Sequence, residues 1–181
     1  MPRRRNRMPP LWLRYSFVNT SPLAMNNMHF LRLNMGVNSE AVNNAHFNNC
    51  FFDYLTYGLL ADTPTATTGK TLPNSYNFSS CLFLNADVLA ARFVNAHSVN
   101  FQSCSFEGNG KKNTPLLTDV AAIDCSFYGP NGANGLNVKD CYFEGNKGLA
   151  DIRVQIETGG HNNPYYGTHT FQGNTFNRNW I

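Results

Sequence analysis

One short word recurs six times along the chain: a core-type residue, two further residues, Cys or once Asn, one residue, then Phe. The copies are Phe47-Asn-Asn-Cys50-Phe-Phe52, Phe78-Ser-Ser-Cys81-Leu-Phe83, Phe101-Gln-Ser-Cys104-Ser-Phe106, Ala122-Ile-Asp-Cys125-Ser-Phe127, Val138-Lys-Asp-Cys141-Tyr-Phe143 and Phe171-Gln-Gly-Asn174-Thr-Phe176. A unit that returns at roughly 20–45 residues is laid on its neighbours as a solenoid. Within a word, Cys and the Phe two places on share one face of an extended strand. That set is apolar throughout. The opposite set is mostly polar, with Asn49, Ser80, Ser103, Asp124 and Asp140 before Cys, and Asp53, Glu107, Tyr128 and Glu144 after Phe. The pattern predicts a half-buried strand, repeated.

Turn chemistry follows each word. Phe106-Glu-Gly-Asn109 and Phe143-Glu-Gly-Asn146 are near copies, and Phe127-Tyr-Gly-Pro-Asn131 is a looser one. Gly and Asn tolerate the positive φ of a sharp corner, and Asn side chains can cap the backbone there. Asn stacked on Asn would bond its neighbours above and below. The intervals between words are uneven, longest before Cys81 and Asn174 and shortest between Cys125 and Cys141. The long ones hold Asp62-Thr-Pro-Thr-Ala-Thr-Thr-Gly-Lys-Thr71 and Gly159-Gly-His-Asn-Asn-Pro-Tyr-Tyr-Gly167, read as two protruding loops. Upstream, Trp12-Leu-Arg-Tyr15-Ser-Phe17 imitates the word with Tyr for Cys, and Met28 to Met35 is apolar-rich. The expectation is all-β, with about six to eight coils over residues 15–181, preceded by a basic arm over 1–14.

Charge is unevenly placed. Of fourteen Lys and Arg, five lie at Arg3, Arg4, Arg5, Arg7 and Arg14. The rest of the chain holds nine against eleven Asp and Glu, so its body is mildly acidic. A solvated tail is expected rather than a nucleic-acid surface, because the body offers no basic stripe. No stretch approaches the ~20 apolar residues that span a bilayer. Met1 to Phe17 is broken by Pro9, Pro10 and Arg14 and is not read as a signal peptide. Five Cys at equivalent positions are expected to be reduced, buried thiols, since stacked side chains point the same way rather than at each other.

The word followed by Glu-Gly-Asn resembles the coils of right-handed parallel β-helix proteins, over about Ala41 to Ile181. That group includes pectate-lyase-like enzymes and bacteriophage tailspike and tail-fibre proteins. The resemblance implies a right-handed parallel β-helix solenoid, working on a virion or outside the cell as a homotrimer or larger assembly that engages host-surface polysaccharide or another glycan. The catalytic motifs of polygalacturonase-like relatives do not carry over. Gly159-Gly-His161-Asn and Arg153-Val-Gln155 only approach two of them. A final coil with unpaired edges would invite association.

Candidate chemistry lies on the outward face. Glu107 and Glu144 would stand two words apart with Tyr128 between them, hence ~10 Å, near the ~6.5–9.5 Å of an inverting carboxylate pair. Asp124 and Asp140 would be one word apart, ~5 Å, closer to a retaining pair. A lyase or glycoside hydrolase on these acids is the alternative to a carbohydrate-binding module, and a purely structural solenoid is the third option. Tyr128 and Tyr142 beside the acids, and Tyr165 and Tyr166 at the tip of the second loop, would give a sugar ring an apolar face. His29, His46, His97, His161 and His169 show no metal-ligand spacing, and no metal or cofactor is expected. Asn19-Thr-Ser21 and Asn77-Phe-Ser79 match glycosylation acceptors, as an Asn-rich chain does by chance.

Overall fold

The computed structural model describes residues 15–18, 22–40, 42–62, 75–94, 96–110, 121–128, 135–148, 150–157 and 168–177. Every regular element among them is a strand. In chain order these are β1 (Tyr15–Val18), β2 (Leu23–Asn26), β3 (His29–Leu31), β4 (Met35–Glu40), β5 (Ala45–Asn48) and β6 (Phe51–Asp53). There follow β7 (Tyr57–Asp62), β8 (Ser75–Ser79), β9 (Leu82–Leu84), β10 (Leu89–Val94), β11 (Ser98–Gln102) and β12 (Ser105–Glu107). The last six are β13 (Ala121–Tyr128), β14 (Gly135–Lys139), β15 (Tyr142–Glu144), β16 (Ala150–Glu157), β17 (Thr170–Gln172) and β18 (Thr175–Asn177).

The chain visits three parallel six-stranded sheets in strict rotation. The first sheet orders β1-β4-β7-β10-β13-β16, the second β2-β5-β8-β11-β14-β17, and the third β3-β6-β9-β12-β15-β18. One passage through all three is a rung, and the stacked rungs have the arrangement of a β-solenoid.

The recurring word is not one strand. It is the end of a second-sheet strand, a corner and a third-sheet strand. The residue before Cys, or before Met28 and Asn174 in the outermost rungs, turns the corner in the left-handed region: φ is 57° at Asn27, 52° at Asn49, 53° at Ser80, Ser103 and Asp140, and 66° at Gly173. Asn, Asp and Gly accept that geometry at the lowest steric cost. A second corner follows the Phe, with φ 62° at Gly108 and 58° at Gly145. Bonding continues around both bends. The corner amide of Ser80 donates to the Gln102 carbonyl at 3.0 Å, and that of Gly108 to the Glu144 carbonyl at 2.9 Å.

Phe rings from successive rungs pile up inside. Phe30, Phe52, Phe83, Phe106, Phe143 and Phe176 form one column, with centroids 4.7, 4.6, 4.9, 4.9 and 4.8 Å apart. Phe47, Phe78 and Phe101 form another at 4.8 and 4.6 Å. The spacing matches the ~4.8 Å between paired strands, so parallel registry dictates ring stacking. Tyr76 is also internal, and its hydroxyl lies 2.7 Å from Ser39 Oγ. Burial pushes that phenol up to about 12 despite the hydrogen bond.

Three expectations are corrected. Cys125 is outside the thiol column: it lies mid-strand in β13 of the first sheet, paired with Phe93 and Val154. Its flanking word matches because Ala122, on the opposite face of the strand from Cys125 and Phe127, is also apolar and buried. Cys104 and Cys141 therefore stand on adjacent rungs, and no short coil between Cys125 and Cys141 exists. Tyr15–Val18 likewise belongs to the first sheet rather than to a corner. The first corner is Met25-Asn-Asn27-Met28-His-Phe30, whose Met25 and Phe30 register with Phe47 and Phe52. The basic arm over 1–14 and the loop residues 63–71 and 159–167 lie outside the described residues. All five thiols are free and buried.

Candidate functional site

The two corners are built by the same device with different chemistry. At the first, the Cys50 thiol donates to the Met25 carbonyl and the Cys81 thiol to the Phe47 carbonyl, each at 3.4 Å. Cys104 and Cys141 donate to the Gln102 and Lys139 carbonyls of their own rungs, while for Cys50 and Cys81 the acceptor is the residue that opens the word one rung earlier. Asn174 takes the Cys position in the last rung and does the same with its amide, donating to the Val138 carbonyl at 2.9 Å and accepting from the Cys141 amide at 2.9 Å. At the second corner, Asn109 donates to the Phe83 carbonyl at 2.9 Å, and its Oδ1 accepts from the Ala86 amide at 3.0 Å. Asn146 repeats this against Phe106 and Asn109. Desolvation raises the Cys50 thiol, and burial beside the Asp124 charge raises Cys125 well above the usual range. The Cys104 thiol is held protonated by its neighbours Cys141 and Cys81 and by burial. Raised, buried thiols of this kind are poor nucleophiles, whereas the hydrogen bonds from Cys104 lower Cys81 and Cys141.

The outward rows decide what a ligand could meet. On the third sheet, Glu107 registers directly with Glu144, and Ser105 with Tyr142. The two carboxylates are therefore on adjacent rungs, ~4.8 Å apart along the backbone, rather than two apart. Tyr128 does not stand between them, since it closes β13 in the first sheet opposite Glu157. Glu107 accepts from the Ser105 hydroxyl. Glu144 accepts from the Tyr142 hydroxyl at 2.9 Å and from the Asn177 amide at 3.2 Å. All four side chains of this patch are half-buried.

Asp124 and Asp140 do not form a pair. Asp140 is exposed at the corner between the second and third sheets. Asp124 is in β13 of the first sheet, 1% exposed. Arg153, its register partner, binds it through both arms, Nε to Oδ1 at 2.9 Å and Nη2 to Oδ2 at 2.8 Å. Arg92, on the opposite side in register, brings Nε to 3.8 Å from Oδ2. A buried carboxylate between two guanidiniums is neutralised in place.

A row missed in the sequence lies on the second sheet. Asn77, Asn100 and Asn137 are in register, and Asn100 Nδ2 donates to Asn77 Oδ1 at 2.9 Å while Asn137 Nδ2 donates to Asn100 Oδ1 at 2.7 Å. The signal was present as Tyr-Asn77-Phe, Val-Asn100-Phe and Leu-Asn137-Val, an Asn between two inward residues just ahead of three words. Asn27 and Asn49 form a similar contact at the corner, 2.8 Å.

The side chain of Tyr128, and Tyr165, Tyr166 and His161 entirely, lie outside the described residues. Among those described, no group of three or more His, Cys, Asp and Glu is arranged to hold a metal ion. No helix among them is long and apolar enough to cross a membrane. Comparison with protein-family models, with curated proteins and with solved structures finds no match for this chain in any of the three.

Proposed function

We propose that this chain is a right-handed parallel β-helix module of six to eight coils with two protruding loops, of the tailspike or tail-fibre kind. It engages host-surface carbohydrate, on a virion or outside the cell, as a homotrimer or within a larger assembly. One observation carries the carbohydrate reading: the in-register patch of Ser105, Glu107, Tyr142 and Glu144 on rigid strands of the third sheet. Hydroxyls and carboxylates there can bond sugar hydroxyls, and the Tyr142 ring supplies an apolar surface. A glycan array with the full chain tests this reading. Binding to a host-surface polysaccharide, weakened about tenfold by Tyr142→Ala through loss of ~1.4 kcal/mol of stacking, is expected. No binding to any glycan overturns it.

A second reading, a lyase or glycoside hydrolase, is favoured by the register itself. Carboxylates on adjacent rungs approach the ~5–5.5 Å of a retaining pair. Glu107→Gln and Glu144→Gln should then each abolish release of product from a cleaved polysaccharide. Full rate in both removes this pair from consideration. Strong self-assembly with neither binding nor cleavage would leave a structural solenoid.

A further inference from the structure

We propose that the thiol column at the first corner binds a soft, closed-shell metal ion of the Cu(I) class, held in line between the sulfurs of adjacent rungs. The proposal is independent of the carbohydrate reading. Cys50, Cys81, Cys104 and Cys141 occupy the same corner on consecutive rungs. The amide that follows each Cys donates to the Cys carbonyl one rung earlier: Leu82 to Cys50, Ser105 to Cys81 and Tyr142 to Cys104, each at 2.9 Å. Their sulfurs share one direction as well. Each Sγ lies 3.3–3.5 Å from the carbonyl two residues back, on Asn48, Ser79, Gln102 and Lys139.

Equivalent placement sets successive sulfurs one rung apart, ~4.8 Å. An ion midway would stand ~2.4 Å from each, close to the ~2.3 Å of a metal–thiolate bond. Soft ions select sulfur ligands, and Cu(I) accepts two of them on opposite sides. Zinc needs four ligands gathered around a point. These sulfurs stand in a line, and no group of three or more His, Cys, Asp and Glu among the described residues is arranged to hold an ion. Binding turns two thiols into thiolates, releases their two protons to solvent and forms two metal–sulfur bonds, with no change of oxidation state. The Cys104 amide donates to Cys141 Sγ at 3.4 Å and supports the negative charge that a monovalent ion leaves on the pair.

The corner itself does not demand Cys, since Asn174 fills the same position with two hydrogen bonds at 2.9 Å. The column is also shallow: each of its thiols follows two exposed residues. In the first rung the Cys position belongs to Met28, 37% exposed, whose carbonyl accepts from the Phe51 amide at 2.8 Å. A thioether is the other soft sulfur ligand. Cys125 provides the contrast. Its register partners are Phe93 and Val154, so no second sulfur faces it along the sheet.

The test is anaerobic titration of the full chain with Cu(I) against a chromogenic Cu(I) chelator, with native mass spectrometry to count ions and displaced protons, and Zn(II) as the counter-probe. Two Cu(I) per folded chain are expected, one between Cys50 and Cys81 and one between Cys104 and Cys141, each displacing two protons. Cys125→Ala should change nothing. Two double variants then hold equal numbers of thiols. Cys50→Ala with Cys81→Ala keeps an adjacent pair and should bind one ion. Cys50→Ala with Cys104→Ala leaves Cys81 and Cys141 two rungs apart, ~10 Å, and should bind at least ~100-fold more weakly. Equal binding by the two overturns the proposal, as does a folded parent that takes up no Cu(I) or prefers Zn(II). X-ray absorption of the copper-loaded parent needs no variant and decides the matter even where the variants fold poorly. Two sulfur neighbours per copper are expected, and a third sulfur, or nitrogen or oxygen in their place, overturns the linear site.

Discussion

The first sheet and the other two obey different rules of burial. In β8 of the second sheet, Tyr76 and Phe78 point inward and are buried, while Ser75, Asn77 and Ser79 face outward with partial or full exposure. In β10 and β13 the alternation largely vanishes: Ala90, Val94, Ala122, Asp124 and Ser126 are all 5% exposed or less, as are their inward neighbours, while Arg92 among the described outward residues stays part-exposed. Their sequences show it as near-continuous apolar runs, the signature of a sheet covered on both sides. The contrast sorts the acids. Asp124, in the middle of the first sheet, is part of the interior, whereas Glu107 and Glu144 on the third sheet can meet a ligand.

The most damaging way to break that contrast is Asp124→Asn. It takes a buried carboxylate from the partly exposed guanidiniums of Arg153 and Arg92, and a loss of about 3 kcal/mol is expected from urea unfolding. A loss near zero would mean that the first sheet is open to water. Next comes Asn109→Ala, which strips partners from the buried Ala86 amide and Phe83 carbonyl, for about 2–3 kcal/mol. Glu107→Gln and Glu144→Gln, at half-buried positions, should each cost less than about 1 kcal/mol by the same measurement. If either matched Asp124→Asn, the division between structural and ligand-facing acids would fail.

The smallest effect is a pH dependence. His169 Nδ1 accepts from the Leu136 amide at 3.0 Å, and burial lowers its pKa, so the native state holds the ring neutral. Above about pH 6.5 the ring is neutral in both states and the contribution is whole. As pH falls below that value the unfolded chain takes up a proton before the native one, and stability declines. Urea midpoints between pH 7.5 and 5 should fall more for the parent than for His169→Gln, and equal slopes would exclude the effect.

Much of this was legible in the residues. Phe52, Phe83, Phe106 and Phe143 recur with their corners, and stacking follows from parallel registry. Asn-on-Asn bonding was foreseeable from its over-use and is seen at Asn109 with Asn146. Cys125 was misplaced because Ala122, apolar on a buried outer face, mimics the inward residue that opens a true corner. That single misplacement added a false rung, doubled the spacing of Glu107 and Glu144, and set Asp124 beside Asp140. The outer cover of β10 and β13 was hidden as well, since alternation reports one face of a strand and not what lies over the other.

What the amino-acid order determined by itself was the repeat, the turning residues and the inward set, because each depends on local geometry with period two and on residues that tolerate positive φ. Which strand joins which sheet was decided only by the folded chain. Loops of unequal length shift sequence spacing without shifting spatial register, and closing a longer loop costs little free energy. Hence Asp124 meets Arg92 and Arg153, and Glu107 meets Glu144, through pairings that no interval along the chain encodes.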